Sequence, residues 1–132
     1  MITKINATVL FVKKFDECVK FYKNILELKP KMSDKGFQSF DVKGQELALM
    51  DLTTAAQMIN ETIIQPTQVG PHRVLLAAFM EDTDKAYKNL KAKGVEFIKP
   101  PTTQPWGQRT AYFQDPEGNI WEISHFIKKN DI

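Results

Sequence analysis

The sequence is poor in cysteine and in clustered glycine, and each shortage excludes a class of protein. A single cysteine, Cys18, cannot form an internal disulfide framework and suits a reducing compartment. One cysteine also cannot supply a structural zinc site built from several thiolates. The six glycines are scattered along the chain and form no loop that would cradle a phosphate group. We therefore expect neither a disulfide-stabilised protein nor a glycine-rich phosphate-binding loop.

Long apolar runs and a strong charge of one sign are also missing. No stretch approaches eighteen apolar residues, and the N-terminus has no charged region followed by an apolar one. We expect no membrane span, no signal peptide and a cytoplasmic location. The 18 basic and 16 acidic side chains are interleaved and leave a net charge of +2. This balance does not predict nucleic-acid binding.

Two pairs of segments repeat in the same order along the chain. Residues 11–23 align with residues 79–91 at an offset of 68, and residues 41–45 align with residues 115–119 at an offset of 74. The first pair predicts an apolar strand followed by an amphipathic helix, and the second predicts a tight turn between strands. The sequence therefore predicts an α+β fold made of two βαβββ modules.

The module boundaries follow from these repeats. We predict one domain, with module one at 1–52, a linker at 53–71, module two at 72–127 and a tail at 128–132. The linker includes a short helix from Thr53 to Ile59. The helices begin at Phe15 or Asp16 and at Asp82 or Thr83, and the second ends before Gly94. The predicted strands are 4–12, 28–33, 36–41, 46–51, 72–80, 95–98, 109–114 and 119–125.

The segment from Pro105 to Ile123 is the most informative part of the chain. Its centre, Asp-Pro-Glu-Gly at 115–118, predicts a turn between two short strands of alternating polarity. Glu122 lies within the second of these strands, where a carboxylate is costly unless it has a partner or a function. The segment closely resembles the last hairpin of the vicinal oxygen chelate superfamily, which includes glyoxalases, bleomycin-resistance proteins and extradiol dioxygenases.

The resemblance implies two curled sheets around a shared cleft, with helices on the outer face. It also implies frequent dimers, in which modules pair within or across chains. In metal-dependent members, one ligand lies on the first strand and one on the last strand of each module. These positions fall at Ala7, Ala48, Leu75 and Glu122, with Met50 replacing Ala48 if the fourth strand shifts by two residues. Three of the four side chains have no lone pair for a metal.

The two histidines do not restore a metal site on the predicted strands. His72 lies three residues before Leu75, and His125 lies three residues after Glu122. Alternation along a strand points both toward the opposite face or into a loop. We therefore predict no metal and no cofactor. Glu122 then has three open roles, namely a structural hydrogen bond, contact with a cationic or hydroxyl-bearing ligand, or a base whose pKa is raised by burial.

Strand alternation predicts which side chains line the cleft. The predicted ligand-binding residues share a largely apolar and aromatic character with a few polar groups, as in small-molecule pockets; they are Phe11, Gln38, Phe40, Met50, Phe79, Trp106, Tyr112, Glu122 and Ser124. The same face includes Ala7, Val9, Ala48, Leu75, Ala77, Thr110 and Ile120. A closed core without ligand would have the same composition. Trp106, between Pro105 and Gly107, either caps the pocket or buries itself locally.

Three functions remain open. The leading hypothesis is a metal-free protein that binds a small apolar or aromatic molecule. Antibiotic sequestration is one form of this function, because the Pro105–Gly107 segment with Arg109 and the following turn is similar to bleomycin-resistance proteins. The slight positive charge argues against bleomycin itself. The second is a lyase, isomerase or dioxygenase with an altered site and Glu122 as base. The third is a structural or regulatory dimer with a collapsed cleft. We expect a homodimer.

Overall fold

A computed structural model describes residues 6–62, 64 and 74–128 and divides the chain into two compact units, Met1–Gly70 and Pro71–Ile132. Each unit contains one four-stranded mixed sheet with a helix after its first strand. The predicted α+β fold with two βαβββ modules is confirmed. The helices within the described ranges are all too short or too polar to cross a membrane.

The first unit has the strand order β1-β4-β3-β2. Strands β1 and β4 run parallel, and the other neighbours run antiparallel. A segment of π-helix at Phe21–Ile25 continues directly from α1. The elements are β1 (Ala7–Val12), α1 (Phe15–Lys20), β2 (Lys29–Asp34), β3 (Phe37–Val42), β4 (Gln45–Asp51) and α2 (Leu52–Met58).

The second unit repeats this topology, with the strand order β5-β8-β7-β6 and a parallel pair formed by β5 and β8. Its elements are β5 (Leu75–Phe79), α3 (Thr83–Ala92), β6 (Phe97–Thr103), β7 (Gln108–Gln114) and β8 (Ile120–Phe126). The two repeats found in the sequence therefore correspond to β1–α1 with β5–α3 and to the β3–β4 turn with the β7–β8 turn.

Most predicted element boundaries agree with the structure. The predicted linker helix is α2, and α3 begins after Asp82, whose carboxylate accepts a hydrogen bond from the Lys85 backbone N–H at 3.1 Å. Gly94 follows the helix with a φ of 90°. The predicted end of the sixth strand at residue 98 is wrong, because β6 continues to Thr103. The start of the first predicted strand (4–5) and that of the fifth (72–73) lie outside the described residues.

Strand β6 is longer than predicted because prolines do not end an edge strand. Pro100 and Pro101 lie inside β6, which pairs with β7 alone in its sheet. A proline has no N–H to donate, but an edge strand has one row of backbone groups that needs no partner in the sheet. The register between β6 and β7 shifts around Lys99, which is where the prolines interrupt regular pairing.

Aromatic side chains form the contact between helix and sheet in both units. In the first unit, the buried Tyr22 packs against the buried Phe40 with ring centroids 6.1 Å apart. In the second, Phe97 contacts Tyr87 of α3 at 4.5 Å and Phe113 at 5.4 Å. Each helix therefore covers one face of its own sheet, and the other face carries different side chains.

The pairing of β3 with β4 corrects one prediction. Gln38 pairs with Leu49 and Phe40 pairs with Leu47, whereas Ala48 pairs with Ser39. Paired residues share a face, so Gln38 and Phe40 lie on the α1 side and not beside Ala48. The prediction that they share the cleft face was wrong because the turn at Val42–Gln45 sets the register, and a shift by one residue exchanges the two faces.

The four edge strands differ in how they are protected. Strand β2 carries Lys29, Pro30 and Lys31, and β6 carries Lys99 and two prolines. Such residues discourage pairing with another strand. The opposite edges, β1 with the sequence ATVLFV and β5 with LLAAF, contain no charged residue and no proline. Strands β1 and β5 therefore lack the lysines and prolines that discourage another strand from pairing with β2 and β6.

Candidate ligand-binding face

The second sheet has a polar centre on the face opposite α3. In the pairing register, Glu122 lies between Tyr112 of β7 and Ala77 of β5. Phe79 and Thr110 flank Ser124 in the same way. Because side chains of paired residues point to the same face, the structure confirms the predicted face of the second module. Its members are Leu75, Ala77, Phe79, Thr110, Tyr112, Ile120, Glu122 and Ser124.

Tyr112 and Glu122 form a short hydrogen bond at the centre of this face. The Tyr112 hydroxyl donates to Glu122 Oε2 at 2.6 Å, and both residues are half-buried. This bond is the largest cause of a raised Tyr112 pKa, followed by burial and by the charge of Glu122. Ionisation of Tyr112 would place a phenolate next to the Glu122 carboxylate, and this repulsion is why the pKa of Tyr112 is raised. The pair is held as a neutral donor and a charged acceptor.

This pair predicts a pH dependence that can be read directly. Because the pKa of Tyr112 is raised in the folded state, the bond stabilises the fold fully below the ordinary tyrosine value of about 10 and is lost as pH rises through the folded value. Ultraviolet titration of the tyrosines should show one phenol that ionises at a higher pH than the others and is absent in Tyr112→Phe. Glu122→Gln should lower the pKa of this phenol toward about 10. An unchanged midpoint in Glu122→Gln would contradict the assigned cause.

Thr110 and Gln104 add two polar groups beside this pair. Gln104 Nε2 donates to Thr110 Oγ1 at 2.9 Å. Thr110 is buried, and its hydroxyl is held by this contact. Thr110 shares the face of Tyr112 and Glu122, so Gln104 reaches this face from the turn after β6.

Trp106 is fixed by a separate pair of hydrogen bonds. Its indole Nε1 donates to Gln108 Oε1 at 2.9 Å, and Gln108 Nε2 donates to Ser124 Oγ at 2.8 Å. The residue is nevertheless 65% exposed, so the alternative that Trp106 buries itself locally is wrong. Its indole is oriented by the amide of Gln108 with much of its surface open to solvent.

Gln104 and Gln108 were missed as site residues by the sequence analysis. The predicted seventh strand began at residue 109, and the structure starts β7 at Gln108. Extending the alternation from Thr110 back by two residues would have placed Gln108 on this face. Gln104 reaches the same face from the turn after β6, where alternation carries no information. Strand alternation could therefore have identified Gln108 as a site residue, but not Gln104.

Two predicted residues, Phe11 and Met50, belong to the first unit. They are paired in register and share a face of its sheet. Phe11 is exposed, whereas Met50 is 7% exposed and lies in a core cluster with Ala55, Ala56 and Ile64. The linker helix α2 covers Met50, and this contact was not predicted from the sequence. Core packing therefore accounts for Met50 without a ligand.

The side chains at the positions that the superfamily resemblance assigns to metal ligands do not fit a metal site. Ala7, Ala48 and Leu75 have no side-chain donor atoms, and Tyr112 already occupies Glu122 Oε2. Within 6–62, 64 and 74–128, no three His, Cys, Asp or Glu side chains come together as a metal-holding group. His72 lies outside these residues. A metal site at Glu122 would need donors other than those described.

His125 points to the α3 side, as predicted. Its Nδ1 accepts a hydrogen bond from the Thr83 backbone N–H at 3.0 Å and lies 2.7 Å from Thr83 Oγ1. On the same side, Arg109 forms two hydrogen bonds to Asp84, at 2.7 and 3.0 Å, which lower the pKa of that carboxyl. These contacts tie the start of α3 to β7 and β8. They hold the strands that carry Tyr112 and Glu122.

Comparison with known proteins assigns the class. Residues 4–123 match the family model described as the Glyoxalase/Bleomycin resistance protein/Dioxygenase superfamily. The match covers nearly the whole chain and includes every described helix and strand except the last three residues of β8. The chain therefore belongs to this superfamily.

Individual relatives support this assignment. An uncharacterised protein of Bacillus subtilis, YraH, is 32% identical over 117 residues, covering 86% of this chain and 91% of the relative. The crystal structure of a glyoxalase/bleomycin resistance protein/dioxygenase from Nocardioides is 30% identical with a TM-score of 0.80, covering 98% of this chain and 87% of the other. A lactoylglutathione lyase from Agrobacterium tumefaciens, 22% identical with a TM-score of 0.73 and 93% coverage of both chains, shares the fold.

Proposed function

We propose that the protein binds a small apolar or aromatic molecule on the polar-centred face of its second sheet, without a metal. The observation that carries this proposal is the Tyr112–Glu122 hydrogen bond at the centre of a face that also carries Leu75, Ala77, Phe79 and Ile120. A few fixed polar groups within an apolar wall are the usual composition of a ligand site. Sequestration of an antibiotic is one form of this function, in keeping with the superfamily to which the chain belongs.

Exposed aromatic side chains support the proposal. Phe79 and Phe126 are 73% and 62% exposed, and their ring centroids are 5.7 Å apart. In the register, Phe79 pairs with Ser124, and Phe126 pairs with Gln108, which orients Trp106. Large apolar side chains grouped at an exposed surface mark a site of interaction. A flat ring of a ligand would find two phenyl groups and an oriented indole at this end of the sheet.

The first test is metal content and thermal stability of the purified protein. We expect no stoichiometric metal and no change of melting temperature after chelation or after adding Mn²⁺, Ni²⁺, Zn²⁺ or Fe²⁺, since a metal bound to the native state would raise its stability. Aromatic compounds should instead raise the melting temperature and quench Trp106 fluorescence. Trp106→Phe should lose the quenching while Trp121 still reports folding. A library that produces neither effect would contradict the proposal.

A second candidate function is an isomerase or lyase that uses Glu122 as general base. The Tyr112 hydroxyl at 2.6 Å supplies the neighbouring polar group that such a base requires for orientation. The same test separates the candidates. Stoichiometric metal that is lost in Glu122→Gln would favour an enzyme with Glu122 in its metal site, such as a lyase, an isomerase or a dioxygenase. It would overturn the metal-free proposal.

We also propose that the protein forms a homodimer. The uncharged edges β1 and β5 offer rows of backbone groups for pairing with a second copy. Sedimentation equilibrium should then give a mass of twice 15.2 kDa. A lysine placed at the exposed Ala77 on the β5 edge should weaken association if that edge is used, and a monomer at all concentrations would contradict the proposal.

A further inference from the structure

We infer that the ligand of this face is an arylalkylamine, an aromatic ring joined by a short alkyl linker to an amine, whose protonated nitrogen contacts Glu122. The inference rests on the proposed function and adds to it the chemical class of the ligand. It follows from the direction in which the hydrogen bonds on the face must run, from the absence of a counter-charge near Glu122 among the described residues, and from the spacing between Glu122 and the exposed phenyl rings.

The direction of the hydrogen bonds is fixed by the carboxylate. An ionised Glu122 can only accept, so the Tyr112 hydroxyl must donate to it at 2.6 Å. The Tyr112 hydrogen is therefore committed to Glu122 Oε2, and the carboxylate itself has no hydrogen to give. A ligand group that hydrogen-bonds Glu122 must then be a donor.

Glu122 keeps an unused acceptor and an unbalanced charge. Tyr112 contacts Oε2, which leaves Oε1 for a ligand. Within the described part of the chain, no Lys, Arg or His nitrogen lies within 4 Å of the Glu122 carboxylate. Lys99 pairs with Tyr112 in the register, but its side chain is exposed and forms no ion pair with Glu122. A half-buried carboxylate with one neutral donor favours a cation over a carboxylate or phosphate ligand.

The apolar part of the ligand is placed by the strand spacing. Phe79 pairs with Ser124, two residues along β8 from Glu122, which is about 7 Å at 3.3 Å per residue. A ring stacked on Phe79 and Phe126 therefore lies a short linker away from an ammonium group at Glu122. The net charge of +2 does not oppose this contact, because charges spread over the surface are screened beyond about 10 Å while the Glu122 contact is direct.

Three probes of the same shape test the inference: 2-(1-naphthyl)ethylamine, 2-(1-naphthyl)ethanol and 1-naphthylacetate. Affinities for the full chain are measured by NMR titration, with the Trp106 indole N–H signal reporting the site. We expect the amine to bind about tenfold more tightly than the alcohol, because both donate a hydrogen bond to the carboxylate but only the ammonium adds the attraction of an opposite charge. The carboxylate should bind most weakly of the three.

Single substitutions test whether Glu122 causes the preference for the amine. Glu122→Gln keeps the size of the side chain and an acceptor for Tyr112 but removes the charge, so the preference for the amine should disappear. Glu46→Gln, on the first sheet, makes the same change of net charge and should leave the preference intact. Tyr112→Phe keeps the carboxylate and should also retain it. Melting temperatures of all three confirm that each variant is folded.

Each other outcome has a defined meaning. If the three probes bind equally and shift the Trp106 signal, ligand binding on this face stands and the amine class is overturned. If the amine preference persists in Glu122→Gln, Glu122 is not the contact and the inference fails. If none of the probes binds, the inference also fails, and the screen with neutral aromatic compounds then decides the proposed function by itself.

Discussion

Replacing Phe113 with alanine is expected to lower the free energy of unfolding by about 3–5 kcal/mol, the range for large aromatic truncations in a core. Phe113 is almost fully buried and contacts Phe97 at 5.4 Å and stacks on Trp121 at 6.1 Å. No neighbouring strand can move into the space without breaking sheet hydrogen bonds. The cavity therefore stays open, and the lost contacts are not recovered. Urea denaturation followed by tryptophan fluorescence measures the change.

Phe79→Ala is the matched control for this prediction. It removes the same phenyl group from a strand of the same sheet, but Phe79 is 73% exposed. Its truncation should cost less than about 1 kcal/mol of stability, because little apolar area is lost from the core. It should instead weaken the binding of aromatic probes. Equal destabilisation by the two changes would contradict the assignment of Phe113 to the core and Phe79 to the ligand face.

Asp115→Ala is expected to destabilise the second unit by about 2–4 kcal/mol, because several donors lose a charged acceptor at once. The buried Asp115 side chain accepts hydrogen bonds from the backbone N–H groups of Glu117 and Asn119 at 2.9 and 2.8 Å, and from Asn119 Nδ2 at 2.8 Å. These bonds close the turn that joins β7 to β8. Thermal and urea denaturation measure the loss.

The internal repeat supplies the control for Asp115. Asp41 occupies the corresponding turn of the first unit, but its half-buried side chain accepts one described backbone hydrogen bond, from the Gly44 N–H at 3.0 Å. Asp41→Ala should cost less than about 1 kcal/mol. In Asp115→Ala the pairing of Tyr112 with Glu122 should also loosen, so the late phenolate titration should move toward about 10. A larger loss from Asp41→Ala would show that the two turns are not stabilised as described.

The fold could be predicted from this sequence because its signals are periodic and occur twice. The repeats at offsets of 68 and 74 residues placed strand, helix and turn in each unit, and the structure confirms that order. The exception is β6, where Pro100 and Pro101 suggested an early end. Whether a proline ends a strand depends on whether the strand lies at an edge, and this is a property of the whole sheet.

The side chains that share a sheet face were predicted correctly for β7 and β8 and wrongly for β3 and β4. On β7 and β8, the turn at 115–118 fixed the register, so Tyr112, Glu122 and Ser124 were placed on one face correctly. On β3, Gln38 and Phe40 were predicted to share a face with Ala48 and Met50, but their partners in the register are Leu49 and Leu47. The structure places Phe40 under α1, against Tyr22. Alternation shows which residues share a face of a strand, and partners from distant elements decide which face is which.

Contacts across longer distances were outside the reach of the sequence analysis. Gln104 joins Thr110 from the turn after β6, and α2 covers Met50. Both depend on how a connecting segment returns onto its sheet, and no periodic pattern records that path. Polar side chains in connections next to a predicted face are therefore worth testing as site residues, even when alternation does not include them.

The contrast between the edge strands bears on how the molecule can assemble. Lysine and proline discourage further strands from pairing with β2 and β6, whereas β1 and β5 carry neither residue. Growth by strand addition is thus confined to one side of each sheet. A contact that uses both open edges consumes them, and the assembly stops at a finite size instead of extending into a fibre. The lysines and prolines of the outer strands would then protect the protein from aggregation while its own association proceeds.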